Sequence, residues 1–177
     1  MTDHHGQKPI FSILSGAECD AVLSRNHIGR LAFINGGRVD IEPVSYVAAG
    51  SWLFMRSAEG AKLEALAHTP YVAFEVDEAK SAFDWQSVVV RGTIYWMADD
   101  GRYVDHSTLD RAVQALRSFQ PHALLDEDPT PFRRTIYGLH IDLMTGRKAE
   151  LGAVSAEQGA ALASHSHAAR RHTPDGF

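Results

Sequence analysis

A mainly β (α+β) fold, an antiparallel barrel with short helices at its rim, is what this sequence predicts, and three observations carry it. Segments rich in β-branched and aromatic residues follow one another: IGRLAFI, RVDIEPVSYVA, WLFMRS, YVAFEVDE and SVVVRGTIYWM. That is the composition of strands. Glycine-containing turns follow several of them, at Asn35-Gly36-Gly37 and Ala48-Ala49-Gly50-Ser51 among others, as antiparallel pairing favours. Helical periodicity is confined to short stretches between the strands. Strands in sequence with tight turns favour a barrel, and closing it removes exposed sheet edges.

The elements follow in order. Residues 1–11 read as a polar leader. Ser15 with Glu18 three positions later is a capping-box pattern, and Leu14, Ala17, Ala21 and Val22 recur at helical spacing, so 15–25 is a short helix. IGRLAFI, Asn35-Gly36-Gly37 and RVDIEPVSYVA form a hairpin, because an Asn-Gly step supplies the positive φ angles of a tight turn. Ala48-Ala49-Gly50-Ser51 turns the chain into the strand WLFMRS, and LEALAH is a short helix that Pro70 closes. Strands at 71–78 and 87–97 follow, with a turn at 99–102. Leu109, Ala112, Val113, Leu116 and Phe119 place 108–119 in an amphipathic helix. DEDPTP is a loop, and a last strand over 136–144 ends at Thr145-Gly146. Residues 151–177 are an Ala/His-rich tail, partly helical or disordered.

Bulk properties narrow the function. With 177 residues, 45% of them hydrophobic, the chain is one domain with tails and buries a real core. A net charge of −5 argues against nucleic acid or an anionic membrane as the main partner. Cys19 is the lone cysteine, which excludes an intrachain disulfide and a thiolate zinc cluster; between Glu18 and Asp20 it reads as a small buried apolar residue. The start, MTDHHGQKPI, lacks the basic-then-apolar layout of a secretory signal, and no apolar run approaches membrane-spanning length. A cytoplasmic protein is expected.

Chemistry concentrates in two stretches. In FMRSAEGAK (54–62), Arg56, Ser57 and Lys62 offer cations and a hydroxyl, and Gly60 permits close backbone approach. A helix start adds free N–H groups, so this segment suits a phosphate. It equally suits a solvated strand edge. In DWQSVVVRG (84–92), Trp85 offers a stacking surface with Gln86 and Ser87 as hydrogen-bonding groups beside it, which suits a flat heteroaromatic ring. A barrel plug is the plainer reading of Trp85. The histidines lack a ligand rhythm, including His4-His5 and the His165, His167, His172 group, so no metal site is expected; His140 reads as a hydrogen-bonded barrel residue. Asp126-Glu127-Asp128 reads as a solvated loop, and neither a nucleophile elbow nor a P-loop is present.

Taken in order and spacing, Gly29-Arg30-Leu31, Pro43-Val44-Ser45-Tyr46, Phe54-Met55-Arg56-Ser57, Gly60-Ala61-Lys62, Phe74 to Glu78, Trp85 to Gly92 and Thr145-Gly146-Arg147 resemble the pyridoxamine 5′-phosphate oxidase-like flavin-binding family, over residues 12–150. The resemblance implies a six-stranded split barrel that forms a homodimer with two FMN sites at the subunit interface. It implies that Arg56, Ser57, Gly60 and Lys62 hold the FMN phosphate. Pro43, Val44, Ser45 and Tyr46 would line the isoalloxazine ring with Gln86 and Ser87 nearby, and Trp85 would reach the ring of its own or the partner's site. Two departures stand out. Ala61 occupies the place of a second basic residue, so that charge is absent or replaced by Arg56, and Arg147-Lys148 do not reproduce the C-terminal Arg and His that bind the vitamin substrate. The implied function is FMN-dependent oxidation or reduction of a small molecule rather than pyridoxamine phosphate oxidation. A flavin-binding or sensing module without turnover, and a split barrel using haem or a deazaflavin, are the alternatives.

Overall fold

The computed structural model describes residues 7–97 and 106–153. Its elements are β1 (Gln7–Leu14), α1 (Gly16–Arg25), β2 (Ile28–Asn35), β3 (Arg38–Ala49), β4 (Trp52–Ser57), α2 (Ala61–His68), β5 (Tyr71–Ser81), β6 (Asp84–Trp96), α3 (His106–Phe119) and β7 (Thr135–Ala153). All strand pairings are antiparallel. The order β7-β4-β3-β2-β5-β6 returns to β7 through β6–β7 pairing, so six strands close a ring and β1 is appended to β7 outside it.

β5 and β6 each run three residues further towards their shared turn than expected, to Ser81 and from Asp84, and the largest departures lie at the two ends of the fold. Residues 7–11 are not leader: they belong to β1, which pairs from Gln7 with Ala153 to Leu14 with Gly146. The last strand does not stop at Gly146 but runs to Ala153, taking in residues 151–153 of the expected tail. The reason is mutual: each of these segments supplies the other's ladder partners. β1 pairs on one side only, which is why Pro9, lacking an N–H, is tolerated there. The expected turn at 99–102 and the tail beyond 153 lie outside the described residues.

Local chemistry explains the remaining elements. Ser15 and Glu18 form the capping box that opens α1: the Glu18 carboxylate accepts from Ser15 N–H at 2.8 Å, and Ser15 Oγ accepts from Glu18 N–H at 3.3 Å. The helix buries Cys19, Val22 and Leu23, and burial pushes the Cys19 thiol up. In the β2–β3 hairpin Asn35 pairs with Arg38, so Gly36 and Gly37, at φ 57° and 77°, carry the turn instead of Asn35-Gly36. Alternation sends Leu31, Phe33, Val44, Tyr46, Leu53 and Met55 into the ring. The outer faces of β3 and β4 meet α3 in a second cluster of Val47, Phe54, Met97, Ala112, Leu116 and Ile136. His140 is held at Nδ1 by Asp142 Oδ1, 2.9 Å away. Among the described residues no helix is long and apolar enough to cross a membrane.

Ring closure needs a close approach at Gly92. The β6–β7 register slips between Arg91 and Gly92, a bulge at which a Cβ on Gly92 would stand 1.9 Å from the His140 carbonyl oxygen. That oxygen is backbone and cannot rotate away. Gly92→Ala is therefore expected to destabilise the fold by about 2 kcal/mol or more, seen as a lower urea midpoint at unchanged slope.

Candidate functional site

Three chain segments meet at one corner of the barrel. β4 ends at Ser57, α2 begins just beyond Gly60, and β7 begins at Thr135, which pairs with Ser57. Beside them run Ile28 of β2 and Pro43–Ser45 of β3. Together Ile28, Pro43, Val44, Ser45, Arg56, Ser57, Lys62 and Arg133 line a cavity of about 120 Å³. Six residues expected in the site thus converge: Pro43, Val44, Ser45, Arg56, Ser57 and Lys62.

The others are placed differently. Gly60 caps α2 without lining the cavity. Tyr46 points into the core, where its hydroxyl donates to the Leu23 carbonyl at 2.8 Å and its ring meets Phe74 edge-on at 4.9 Å. Trp85, Gln86 and Ser87 lie at the far end of β6. Met55 pairs with Tyr137, which pairs with Trp96; Trp85 is eleven residues further along the strand, about 35 Å of extended chain. There Gln86 donates to Glu78 at 2.6 Å, Ser87 donates to Glu75 at 2.9 Å, and the Trp85 ring lies 6.3 Å from Phe11. One chain does not unite the two halves of the expected site.

The charges at the corner are largely paired. Lys62 Nζ lies 3.0 Å from Glu42 Oε2. The Arg56 guanidinium is buried and donates to both oxygens of Asp128, to Gln120 Oε1 at 2.8 Å and to Thr130 Oγ1 at 2.8 Å. Asp128 also accepts from the backbone of Leu124 at 2.8 Å and Thr130 at 2.9 Å. The guanidinium, aided by these N–H groups, holds the carboxyl well below the usual range. Asp128 is thus no part of a solvated loop; it is buried because it neutralises Arg56. The chain accepts backbone strain to make this contact, with Leu124 at φ 64°.

Arg133 is the functional candidate that the sequence reading missed. It is exposed at the cavity rim, and its side chain forms no hydrogen bond or ion pair among the described residues. The Arg133-Arg134 doublet before a strand was the available signal. No group of three His, Cys, Asp or Glu placed to hold a metal ion occurs among the described residues.

From the cavity a sheet face that none of the described residues covers extends across β3, β2 and β5. Ile28 and Ile41 are each 60% exposed, Val39 69% and Tyr71 72%. Paired register puts Ile28 with Ser45, Arg30 with Pro43, Ala32 with Ile41 and Ile34 with Val39 on this one face. Arg30 is its charged centre, bonded to Glu75 at 3.0 Å and to Asp77.

Fold and cavity define a split-barrel protein with a polar corner opening onto an apolar sheet face. More particularly, the chain belongs to the pyridoxamine 5′-phosphate oxidase family, whose profile matches residues 15–148. An uncharacterized protein of Rhizobium meliloti is 31% identical over 80 residues, 45% of this chain and 53% of that protein, so the match spans about half of that relative's length. A FAD-binding protein of Mesorhizobium loti superposes with a TM-score of 0.65 at 27% identity, over 81% of this chain and 99% of its own. The FAD-binding protein of Mycobacterium smegmatis does so with a TM-score of 0.57 at 25% identity, over 77% and 98%.

The far-end network has a pH signature. Glu78 receives a forked contact from Arg25 (2.6 and 2.8 Å), a contact from Asn26 and one from Gln86, and Arg25 above all lowers its pKa from 4.5 to about 2. A depressed carboxyl stabilises the fold above its unfolded-state pKa, and this contribution is lost as pH falls through the folded value. Unfolding free energy should therefore fall between about pH 4.5 and 2, and Glu78→Gln should flatten that part of the acid limb in denaturant titrations.

Proposed function

We propose that this chain is a homodimeric flavin-nucleotide protein, an FMN-dependent oxidoreductase acting on a small molecule. The observation that carries the reading is the convergence of Ser57, Lys62, a helix start and a rim arginine at one corner, directly beside Pro43–Ser45 on an apolar face. The donor set fits a phosphate: a hydroxyl, cations and the unpaired N–H groups of the α2 first turn. The neighbouring strand fits a ring, since Pro43, Val44 and Ile28 offer apolar surface and Ser45 a polar edge. A cavity of about 120 Å³ holds a phosphoryl group and little more, so the isoalloxazine lies on the open face.

A ring on an open sheet face is half wet. A second copy covering Ile28, Ile41, Val39 and Tyr71 would bury it and would bring a far-end Trp85 and Ser87 within reach. Burial of such an apolar face is the ordinary driving force for association. The two FAD-binding neighbours support a flavin; FMN is the nucleotide proposed here because the corner gathers one set of phosphate donors. When bound, the flavin supplies the hydride or electron transfer. The chain's own residues do the rest: Ser57 and Lys62 anchor, Pro43–Ser45 orient the ring, and the apolar face excludes water. Among the described residues no cavity-lining side chain is a free carboxylate or imidazole, so the reading assigns proton transfer to solvent or to the substrate. That same observation favours a second reading, a flavin module without turnover, and reduction of the bound flavin by NADH or NADPH separates the two.

Flavin absorbance that survives desalting is the expected result, and a colourless protein that ignores FMN and FAD would sink the reading. Lys62→Ala should weaken FMN about tenfold, the worth of one charge-assisted contact, while riboflavin, lacking the phosphate, should bind as before. Ile41→Asp should give a monomer in light scattering that no longer retains flavin; a monomeric wild type would remove the dimer.

A further inference from the structure

We infer that Arg133, and not Arg56, supplies the guanidinium that binds the phosphoryl group at this corner, with Arg56 and Asp128 acting as the clamp that sets the position of the segment carrying it. The inference rests on the flavin-nucleotide reading and deepens it. Its basis is a charge count over the cavity lining. Arg56 is cancelled by Asp128, which takes both oxygens to it and leaves the guanidinium side chain 5% exposed. Lys62 is shared with Glu42 at 3.0 Å. Arg133 is the one cation of the lining without a partner among the described residues. A corner of balanced pairs has no net attraction for a phosphate dianion; adding one free guanidinium gives it a positive centre with forked donors suited to phosphate oxygens.

The surrounding chain places Arg133 at this corner. Ser57 pairs with Thr135, and Arg133, two residues before the ladder begins, lines the cavity with Ser57. Upstream, the segment is pinned: Arg56 bonds Gln120, Asp128 and Thr130. Arg133 N–H donates to the Thr130 carbonyl at 3.0 Å, tying its backbone to a residue the clamp already holds. Arg56 is therefore a positioning residue. The sequence alone favours it because it stands on a strand beside Ser57, while the carboxylate that consumes its charge lies 72 residues away.

The test uses FMN, FAD and riboflavin in equilibrium titrations of the full chain, with Arg133→Ala, Arg133→Lys and the wild type. Arg133 is exposed, and unchanged thermal melting will show that the variants fold. The expectation is a loss of about ten- to a hundredfold in affinity for the nucleotide the wild type binds. Riboflavin affinity should stay within about twofold, the dependence of nucleotide binding on salt should flatten, and lysine should recover part of the loss. FMN against FAD identifies which nucleotide carries the phosphoryl group. Arg133→Ala binding FMN or FAD as tightly as the wild type would overturn the assignment alone, as would equal losses for riboflavin and the nucleotide. A wild type that binds none of the three would overturn the flavin reading and this inference with it.

Discussion

Everything else in the molecule depends on β7. This one strand of 19 residues pairs with β4 over Thr135–His140, with β6 as far as Ala149 and with β1 from Gly146 onward. Its β6 pairing closes the ring, and without β7 as a whole β4 and β6 would both be open edges. A strand that serves three partners has to bend, and the bulge opposite Arg91 and Gly92 supplies the bend where β7 parts from β4. The same strand sets the polar corner, because its first residue is paired with the last residue of β4. Barrel closure and site construction are thus one geometric event.

The corner itself is built from charge pairs that serve architecture first. Burying Arg56 without a partner would be costly, and Asp128, Gln120 and Thr130 make the burial tolerable. Their side chains come from the segment between α3 and β7, so the segment is fixed against the barrel as a consequence. A loop held this firmly can present an exposed side chain at a reproducible place, which is what binding a small anion requires. The sheet face beside it carries the opposite character: apolar and exposed at Ile28, Val39, Ile41 and Tyr71, around the paired charges of Arg30, Glu75 and Asp77. Corner and face together suit a ligand that is charged at one end and flat and apolar at the other.

Much of this was legible in the sequence because the signals are local. The capping box of Ser15 and Glu18 marks α1, alternation and composition mark β2 to β6, and the strand WLFMRS is β4 residue for residue. The order of the blocks from Gly29 to Gly92 identified the family and pointed to six of the cavity-lining residues. What was missed is long-range. β1 opens with Gln7-Lys8-Pro9 and the last third of β7 reads RKAELGA, neither of them strand-like, and their pairing with each other extends both strands. Nothing near Asp128 says that it is buried, since its partner is Arg56 on another element. Tyr46 follows Ser45 in sequence but alternation turns it into the core, and Gln86 and Ser87 face opposite sides of β6 for the same reason. Arg133 carried no signal beyond a basic doublet, because its significance lies in being unpaired where its neighbours are paired.

The central claim is that the polar corner and the apolar face form one flavin site that a second copy of the chain completes. Sedimentation velocity of the protein with FMN, followed in the visible band that only flavin absorbs, tests both halves at once. The account predicts flavin absorbance moving with a species of twice the chain mass. Protein sedimenting as a monomer while the flavin stays behind as free ligand would contradict it.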